Sequence, residues 1–440
     1  MVIYLFRACL KGTIFEFSLK RNRFGGVLIG REIFLLVLLG AFLYEIFGPY
    51  AFNTFYITER SIEETTPIVM IAASLLFLAI GFFSKTIFKK YLLFGKSIRE
   101  ETLVESRNFI WLLHSSAILT LFLVAVVHGF GAKHAFIANL SSGLDLLQIR
   151  LENKYEISAP SFAIGYMRFS YTLLAILLGL IGEKIGRSRW CLYMFLIVYS
   201  ATLQGDKAPL VAMLILYFLG RLTNSKMNPR KVLLAAPFLV LGPLLLIYFV
   251  TKIQFPTLDE VEIVLYLVER LGVGQIQGAY EQFSLRLHDF SYIINEIPFS
   301  GMIFNRESFS KDLMMLTGGY GMYLQDIGVM NSFFIGEALA IGGEGLIYIS
   351  PFLVAFNYCL IAYIAIFFFA RIFRVGISNS KKCTSLLIPT LAVFTGDFGG
   401  LLVFKKLIAI VGFLMVVFFV YRMALQFFGG RSVRDGVARG

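Results

Sequence analysis

The run Arg286-Leu287-His288-Asp289 groups side chains that chemistry on a phosphorylated substrate would use. The Arg286 guanidinium carries donors that match phosphate oxygens. The His288 imidazole can take up a proton near neutral pH, and the Asp289 carboxylate is a second candidate base. Because residues two apart do not share a helix face, Arg286 and His288 converge on one substrate only if their segment lines a cavity between other helices.

A second group of candidates lies in segment 331–345, which is half apolar and contains Glu337, Glu344 and four glycines. Ionisable residues buried in a membrane are costly, so both carboxylates are functional candidates. Glu337 is a further candidate for the general base. The alternative is that Glu337 hydrogen-bonds backbone groups at the wet end of a helix bundle.

Three more basic positions could hold an anion. In the turn Gly205-Asp206-Lys207, Pro209 can open the next helix, which leaves Lys207 near a helix N-terminus, where a bound anion would offset the opposing dipole. The alternative is a plain turn in which Asp206 caps the helix and Lys207 extends to the interface. Lys405 and Lys406 interrupt an apolar stretch, and either acidic neighbours or a phosphorylated headgroup would balance them.

The elements that position these residues have the composition of a membrane protein. Of 440 residues, 58% are hydrophobic and 15% are charged, whereas soluble domains carry about 25% charged residues. The mean hydropathy is +0.77. This composition excludes a soluble fold. The net charge of +12 does not indicate a nucleic-acid partner, because the basic residues flank apolar spans, as topology signals do.

Apolar stretches near the length that crosses a bilayer predict an all-α polytopic membrane protein with about ten transmembrane helices in a single domain, 1–440. The predicted spans are 27–48, 67–88, 109–130, 161–182, 190–204, 208–222, 232–251, 344–370, 385–402 and 403–424. The pairs 190–204 with 208–222 and 385–402 with 403–424 are short or continuous and can also be read as re-entrant hairpins.

Most of the 40 Lys and Arg residues lie near the span ends on one side of the membrane, which recur at every second connection between predicted spans. By the positive-inside bias, these ends and both termini are cytoplasmic. The one long hydrophilic region, 252–331, then forms an extracytoplasmic loop. We expect helices at Val261 to Leu271 and at Ala279 to Ile294, separated by breakers at Gly272 to Gly278. A loop of this length with its own helices is usually functional.

The sequence predicts no bound metal and no cofactor. It contains no Asp-x-Asp pair and no metal-ligand spacing. Asp259, Glu260 and Glu262 form the densest acidic group of the loop, but their place beside Pro256 favours a helix N-terminal turn, where acidic residues complement the dipole.

Four features occur here as an ordered set: many spans, a Gly-x-basic turn opening a span (Gly205-Asp206-Lys207), one large late outer loop, and the entry segment S-x-x-I-G-E-x-x-x-x-G-x-x-G from Ser332 to Gly345. The set resembles the Wzy-type polymerases of O-antigen and exopolysaccharide repeat units, which are related to the O-antigen ligases. Lys207 stands where the family usually has Arg. The family's Arg-x10-Gly motif matches only once, from Arg168 to Gly179.

The resemblance implies a polyprenyl-phosphate-dependent, GT-C-like glycosyltransferase of the bacterial cytoplasmic (inner) membrane. Such an enzyme moves a growing glycan from undecaprenyl diphosphate to the non-reducing end of another lipid-linked repeat. Its partners are the lipid-linked donor and acceptor oligosaccharides and membrane lipids. A chain-length regulator is a further partner that the resemblance allows.

Without a metal, Arg and Lys must neutralise the leaving diphosphate. We therefore assign that role to Arg286, Arg270 and Lys207, with Lys405 and Lys406 in support. The acceptor hydroxyl needs a base within hydrogen-bond reach, supplied by His288, Glu337 or Asp289.

Two other functions are compatible with the same residues. An O-antigen ligase shares the architecture and uses a lipid A core acceptor. A transporter or flippase of lipid-linked oligosaccharide would bind the same diphosphate in a basic cavity, although the internal symmetry typical of transporters is not found in this sequence.

Overall fold

The computed structural model describes residues 2–18, 22–49, 56–88, 103–142, 161–205, 207–224, 259–297, 309–324, 331–394 and 405–437, together with isolated residues at 149 and 304 and short pieces within 241–252. Within these ranges all regular elements are helices, and Ser18 and Arg23 form one isolated antiparallel bridge. The predicted all-α fold is therefore confirmed.

The described chain up to residue 224 forms α1 (Val2–Leu10), α2 (Gly25–Phe47), α3 (Glu59–Phe83), α4 (Leu103–Gly129), α5 (Ala135–Ser142), α6 (Ser161–Ile181), α7 (Arg187–Thr202) and α8 (Lys207–Asn224). The remainder forms α9 (Glu260–Leu271), α10 (Gln277–Leu285), α11 (Phe309–Leu324), α12 (Phe334–Phe367), α13 (Ile377–Leu391) and α14 (Lys405–Val437). Within α2, residues Arg31–Leu38 are π-helical.

Six helices of the described chain are long and apolar enough to cross a membrane. They are Gly25–Phe47, Glu59–Thr86, Val104–Gly129, Phe162–Lys184, Phe334–Ile372 and Lys405–Phe427. Each overlaps a span predicted from the sequence, at 27–48, 67–88, 109–130, 161–182, 344–370 and 403–424. By length and composition, the chain is a multi-pass helical membrane protein.

The other four predicted spans are shorter or lie largely outside the described residues. α7 and α8, at 190–204 and 208–222, have 16 and 18 residues. The stretch predicted at 385–402 overlaps only the end of α13, because that helix stops at Leu391, and residues 395–402 lie outside the described ranges. Most of 232–251 also lies outside them.

Small residues set the closest helix approaches in the bundle. A Cβ placed on Gly179 of α6 would lie 3.1 Å from the Cα of Gly220 in α8, and one on Gly81 of α3 would lie 2.8 Å from the carbonyl oxygen of Cys9 in α1. Between helices in lipid, packing has to supply the attraction that the hydrophobic effect supplies in water. These glycines allow backbones to touch and increase that packing.

The basic helix ends meet at one end of the bundle. Lys184 Nζ, after α6, donates to Ser106 Oγ of α4 at 3.0 Å. Asn108 Nδ2 of α4 donates to the Arg374 carbonyl oxygen after α12 at 3.1 Å. Lys382 Nζ of α13 donates to Asn224 Oδ1 at the end of α8 at 3.2 Å. We call this the basic end.

The segment 259–297 docks at the opposite end. A capping box of Asp259 and Glu262 begins α9, which confirms the predicted helix N-terminal turn. A Cβ on Gly40 of α2 would lie 2.7 Å from the Gly272 carbonyl oxygen, so α2 and the turn after α9 are in backbone contact. The Tyr44 and Tyr280 rings are 4.4 Å apart, centroid to centroid.

Cysteine labelling tests which end faces the cytoplasm. In a variant lacking the four native cysteines, Val261→Cys reports on the docked segment and Ser188→Cys on the basic end; both positions are exposed. We expect a membrane-impermeant maleimide to label the Val261→Cys protein in intact cells and the Ser188→Cys protein only after permeabilisation, because basic ends face the cytoplasm. Labelling of both variants from the same side would contradict the topology.

Candidate functional site

The Arg286 segment lines a cavity of about 250 Å³ at the docked end of the bundle. Glu64 and Ile68 from α3, Arg286 after α10, and Leu339, Glu344 and Tyr348 from α12 line it. The residues that line the cavity come from three segments that are far apart in the sequence. Of the run 286–289 only Arg286 lines the cavity, so the sequence-based requirement that this segment line a cavity between helices is met for Arg286 and not for His288.

The predicted helix Ala279 to Ile294 is wrong, because it is broken at Arg286. α10 ends at Leu285, and Arg286 adopts a left-handed conformation with φ 50° and ψ 42°. Its N–H donates to the Gln282 carbonyl oxygen at 2.7 Å, and the Gln282 amide donates to the Leu287 carbonyl oxygen. After an irregular stretch, Phe290–Glu296 forms a 3-10 helix.

Left-handed backbone at a helix end normally falls to Gly or Asn, because a Cβ costs roughly 1–2 kcal/mol there. The Arg286 side chain therefore does not stabilise the left-handed backbone conformation that this residue adopts. Strained residues held in place by their surroundings concentrate at functional sites. In this case the strain turns the chain so that the guanidinium lines the cavity.

Arg286 lies between two carboxylates of different helices. Its Nη2 is 3.3 Å from Glu64 Oε2, and its Nη1 is 3.6 Å from Glu344 Oε1. The exposed fractions of these side chains are 63% for Arg286, 41% for Glu64 and 77% for Glu344. Ion pairs this exposed contribute only about 0–1 kcal/mol each. Neither carboxylate therefore holds the guanidinium firmly.

A kink in α12 places Glu344 and receives His288. Gly343 has φ 65° and ψ −161°, a combination that is essentially confined to glycine. A Cβ added there would lie 3.6 Å from His288 Nε2, so the exposed imidazole packs against the bare backbone of the kink. The kink thus brings the imidazole next to the residue that precedes Glu344.

Asp289 anchors the segment. Its N–H donates to the Ala340 carbonyl oxygen at 2.9 Å, which ties the irregular stretch to the first half of α12. Its Oδ1 accepts from the Ser291 N–H at 2.9 Å and from the Ser291 hydroxyl, and so caps the 3-10 helix. The Asp289 carboxylate is thereby engaged with its own chain.

Glu337 lies elsewhere in the packing. It sits in the first turn of α12, is only 1% exposed and does not line the cavity. Its neighbour Gly336 is close to α10, since a Cβ there would lie 3.1 Å from Ala279 Cα. A carboxylate in a first helical turn is favoured by the helix dipole.

Of the other predicted phosphate ligands, Lys405 and Lys406 do not line this cavity. Lys207 begins α8 and Arg270 is the last residue but one of α9, but both side chains lie outside the described part of the chain. Lys406 Nζ donates to the Val393 carbonyl oxygen at 3.2 Å, and its charge acts on the buried Glu32. Lys405 precedes it at the start of α14. For Lys406, the acidic-neighbour alternative is therefore met.

Buried residues beneath α10 fix its position. The Tyr280 hydroxyl and Thr66 Oγ1 of α3 are hydrogen-bonded at 3.0 Å. Burial raises the pKa of the Tyr280 phenol well above its ordinary value, so the hydroxyl keeps its proton. The buried Glu281 accepts from the Tyr56 N–H at 2.9 Å. These contacts hold α10, and therefore Arg286, against α3.

Sequence reasoning missed Glu64. A capping box formed by Thr58 and Ser61 starts α3 at Glu59, eight residues before the predicted span begins at 67. Glu64 is therefore helical and points at the cavity, while Arg60 pairs with it at 3.0 Å from the preceding turn. The Thr-x-x-Ser spacing before an apolar run was the available signal. Glu344 was recognised as a candidate but was given no role.

Comparison with protein-family models, with curated proteins and with solved structures finds no match to this chain.

Proposed function

We propose that this protein is a metal-independent glycosyltransferase that polymerises lipid-linked oligosaccharide repeats, as the resemblance to the Wzy-type polymerases implies. The observation that carries the proposal is the placement of Arg286 between Glu64 and Glu344, with His288 packed against Gly343, the residue before Glu344, at the end of the bundle opposite the basic end. A cation with replaceable partners and a neighbouring base are what transfer from a lipid diphosphate requires.

In this proposal, Arg286 binds the diphosphate leaving group. Its two carboxylate partners lie beside the guanidinium before substrate arrives, at 3.3 Å and 3.6 Å. The incoming diphosphate displaces Glu344, the more exposed partner, and forms charge-assisted hydrogen bonds with the planar guanidinium. Arg270 and Lys207 remain proposed additional ligands.

His288 is the proposed base. Of the three candidates, Asp289 caps the 3-10 helix and Glu337 is buried, whereas His288 is exposed and packs against Gly343, the residue before Glu344. The acceptor hydroxyl attacks the anomeric carbon of the donor, and the bond from that carbon to the diphosphate oxygen breaks. The hydroxyl proton passes to His288 Nε2. The diphosphate leaves, and the Arg286 guanidinium neutralises its negative charge.

The size of the cavity limits what it encloses. Its volume of about 250 Å³ lies just below the roughly 300–1,000 Å³ of typical ligand sites. We infer that it holds the reacting groups only, while the polyprenyl chain lies in the bilayer and the glycan extends outward. This fits a protein of about ten spans and GT-C-like architecture in a bacterial inner membrane, with cytoplasmic termini and the catalytic loop outside.

Glycan profiling of a deletion strain tests the function directly. A strain lacking a polymerase should display single repeats on the acceptor, because export and ligation still proceed. Undecorated core would indicate a ligase instead, and lipid-linked repeats retained on the cytoplasmic side would indicate a transporter. Complementation with the wild-type gene should restore long chains.

Arg286→Gly separates the backbone role of this residue from its side-chain role. Glycine adopts the left-handed conformation without strain, so we expect the melting temperature to stay equal or rise, while polymer is lost because the phosphate contact is gone. Melting of the purified protein and polymer length in complemented cells measure the two effects. At matched expression, full-length polymer would remove Arg286 from the site.

Arg60→Ala is the matched control for this variant. It removes the other cation paired with Glu64 but does not line the cavity, and it is 87% exposed. We expect near-normal polymer. Loss of polymer in Arg60→Ala as well would mean that the ionic environment of Glu64, rather than a phosphate contact, accounts for the Arg286 phenotype.

Elongation should proceed without a divalent metal. Purified protein supplied with undecaprenyl-diphosphate-linked repeats and excess EDTA should lengthen them, because the sequence offers cations rather than an Asp-x-Asp pair for the leaving group. Gel separation of the products measures chain length. Activity that vanishes with EDTA and returns with Mg²⁺ would overturn the assignment of Arg286 as the principal diphosphate ligand.

A further inference from the structure

A larger cavity lies at the basic end of the bundle, between α4 and α7, away from the candidate active site. Its volume is about 760 Å³. Its walls include Arg107, Trp111, His114 and Ile118 from α4, and Arg189 and Tyr193 from α7. None of these residues has a role in the proposed transfer reaction.

Both arginines of this groove lack a counterion among the residues that the structure describes. Arg107 and Arg189 form no ion pair with a carboxylate anywhere in the described part of the chain, whereas Arg221, also at the basic end, pairs with Glu183 at 2.7 Å. Arg189 lines the same cavity as His114 and Tyr193. Two cations, one from each helix that borders the groove, make it complementary to an anion.

The floor of the groove is a fixed polar and aromatic surface. His114 Nδ1 and the Tyr193 hydroxyl are hydrogen-bonded at 2.7 Å, which links α4 to α7. The Trp111 ring meets His114 edge to face, with centroids 5.9 Å apart. Trp and Tyr favour the headgroup level of a membrane, where a polar tip and an apolar body are both satisfied.

The groove passes from charged to apolar along a membrane-spanning helix. Arg107 lies near the start of the span Val104–Gly129, and Ile118, which is 43% exposed, lies three turns further into it. Eleven residues of helix cover about 16 Å. A soluble anion would use only the arginine end of such a groove, whereas a lipid uses its whole length.

We propose that this groove binds an anionic glycerophospholipid from the leaflet at the basic end. The phosphodiester lies between Arg107 and Arg189, Tyr193 and His114 face the glycerol region, and an acyl chain follows α4 past Ile118. The site is independent of the proposed reaction, and its occupant is a resident lipid that joins α4 to α7.

Native mass spectrometry of the full-length protein, with phosphatidylglycerol and phosphatidylcholine supplied in competition, tests this site. We expect the wild-type protein to retain phosphatidylglycerol selectively. In the double variant Arg107→Gln/Arg189→Gln, we expect retention to fall about tenfold for each arginine removed, because each substitution removes a charge-assisted contact. The control Arg187→Gln/Arg422→Gln removes two exposed charges of the same end that do not line the groove, and it should retain the lipid.

A second variant keeps the charge and blocks the groove. Ile118→Trp should also weaken phosphatidylglycerol retention, because its ring fills the path of the acyl chain. Equal retention of both lipids by the wild type, or an equal loss in the control, would overturn the proposal. Displacement of the lipid by millimolar inorganic phosphate would also overturn it, since that identifies a simple anion site.

Discussion

Hydrocarbon offers no hydrogen-bond partners, so backbone inside a membrane must satisfy itself within helices. This constraint confines irregular backbone to the ends of the bundle, and the candidate site is built from such backbone. Arg286 and Asp289 lie outside regular helix, yet their N–H groups are bonded to Gln282 and Ala340. The site thus lies at an end of the bundle, where the irregular backbone at Arg286 and Asp289 is hydrogen-bonded to α10 and α12.

The same constraint separates two kinds of charge. Glu32 lies inside a span, is 1% exposed, accepts a hydrogen bond from the Phe394 N–H at 3.0 Å and has Arg31 as its ion-pair partner. Removing one partner of such a buried group is strongly destabilising, so its charges are committed to structure. The Arg286 pairs are exposed and exchangeable. Burial, rather than residue type, therefore distinguishes the basic residues that hold the fold from those available to a ligand.

Much of the bundle could be predicted, because a run of some twenty apolar residues has few other solutions in a membrane. Hydropathy does not detect the amphipathic first turns of α3, so Glu64 was not predicted as a site residue. The break at Arg286 carries no Gly or Pro signal, and it arises from packing of α10 against α3. The kink at Gly343 was visible only as a Gly-Gly pair. Which carboxylates meet Arg286 depends on contacts between residues far apart in the sequence, 222 positions for Glu64 and 58 for Glu344, which no local pattern encodes.

The π-helical stretch Arg31–Leu38 changes the rotation of the second half of α2 about the helix axis relative to the first half. Its wider turns take up extra residues, so the two halves of the helix face different directions than an unbroken α-helix would allow. The first half turns Glu32 toward Phe394, and the second turns Tyr44 onto Tyr280. Because one residue corresponds to about 100° of helix rotation, the residue count of α2 fixes where the outer segment docks. A one-residue insertion between Glu32 and Tyr44 that preserves hydropathy would therefore rotate Tyr44 by about 100° away from Tyr280.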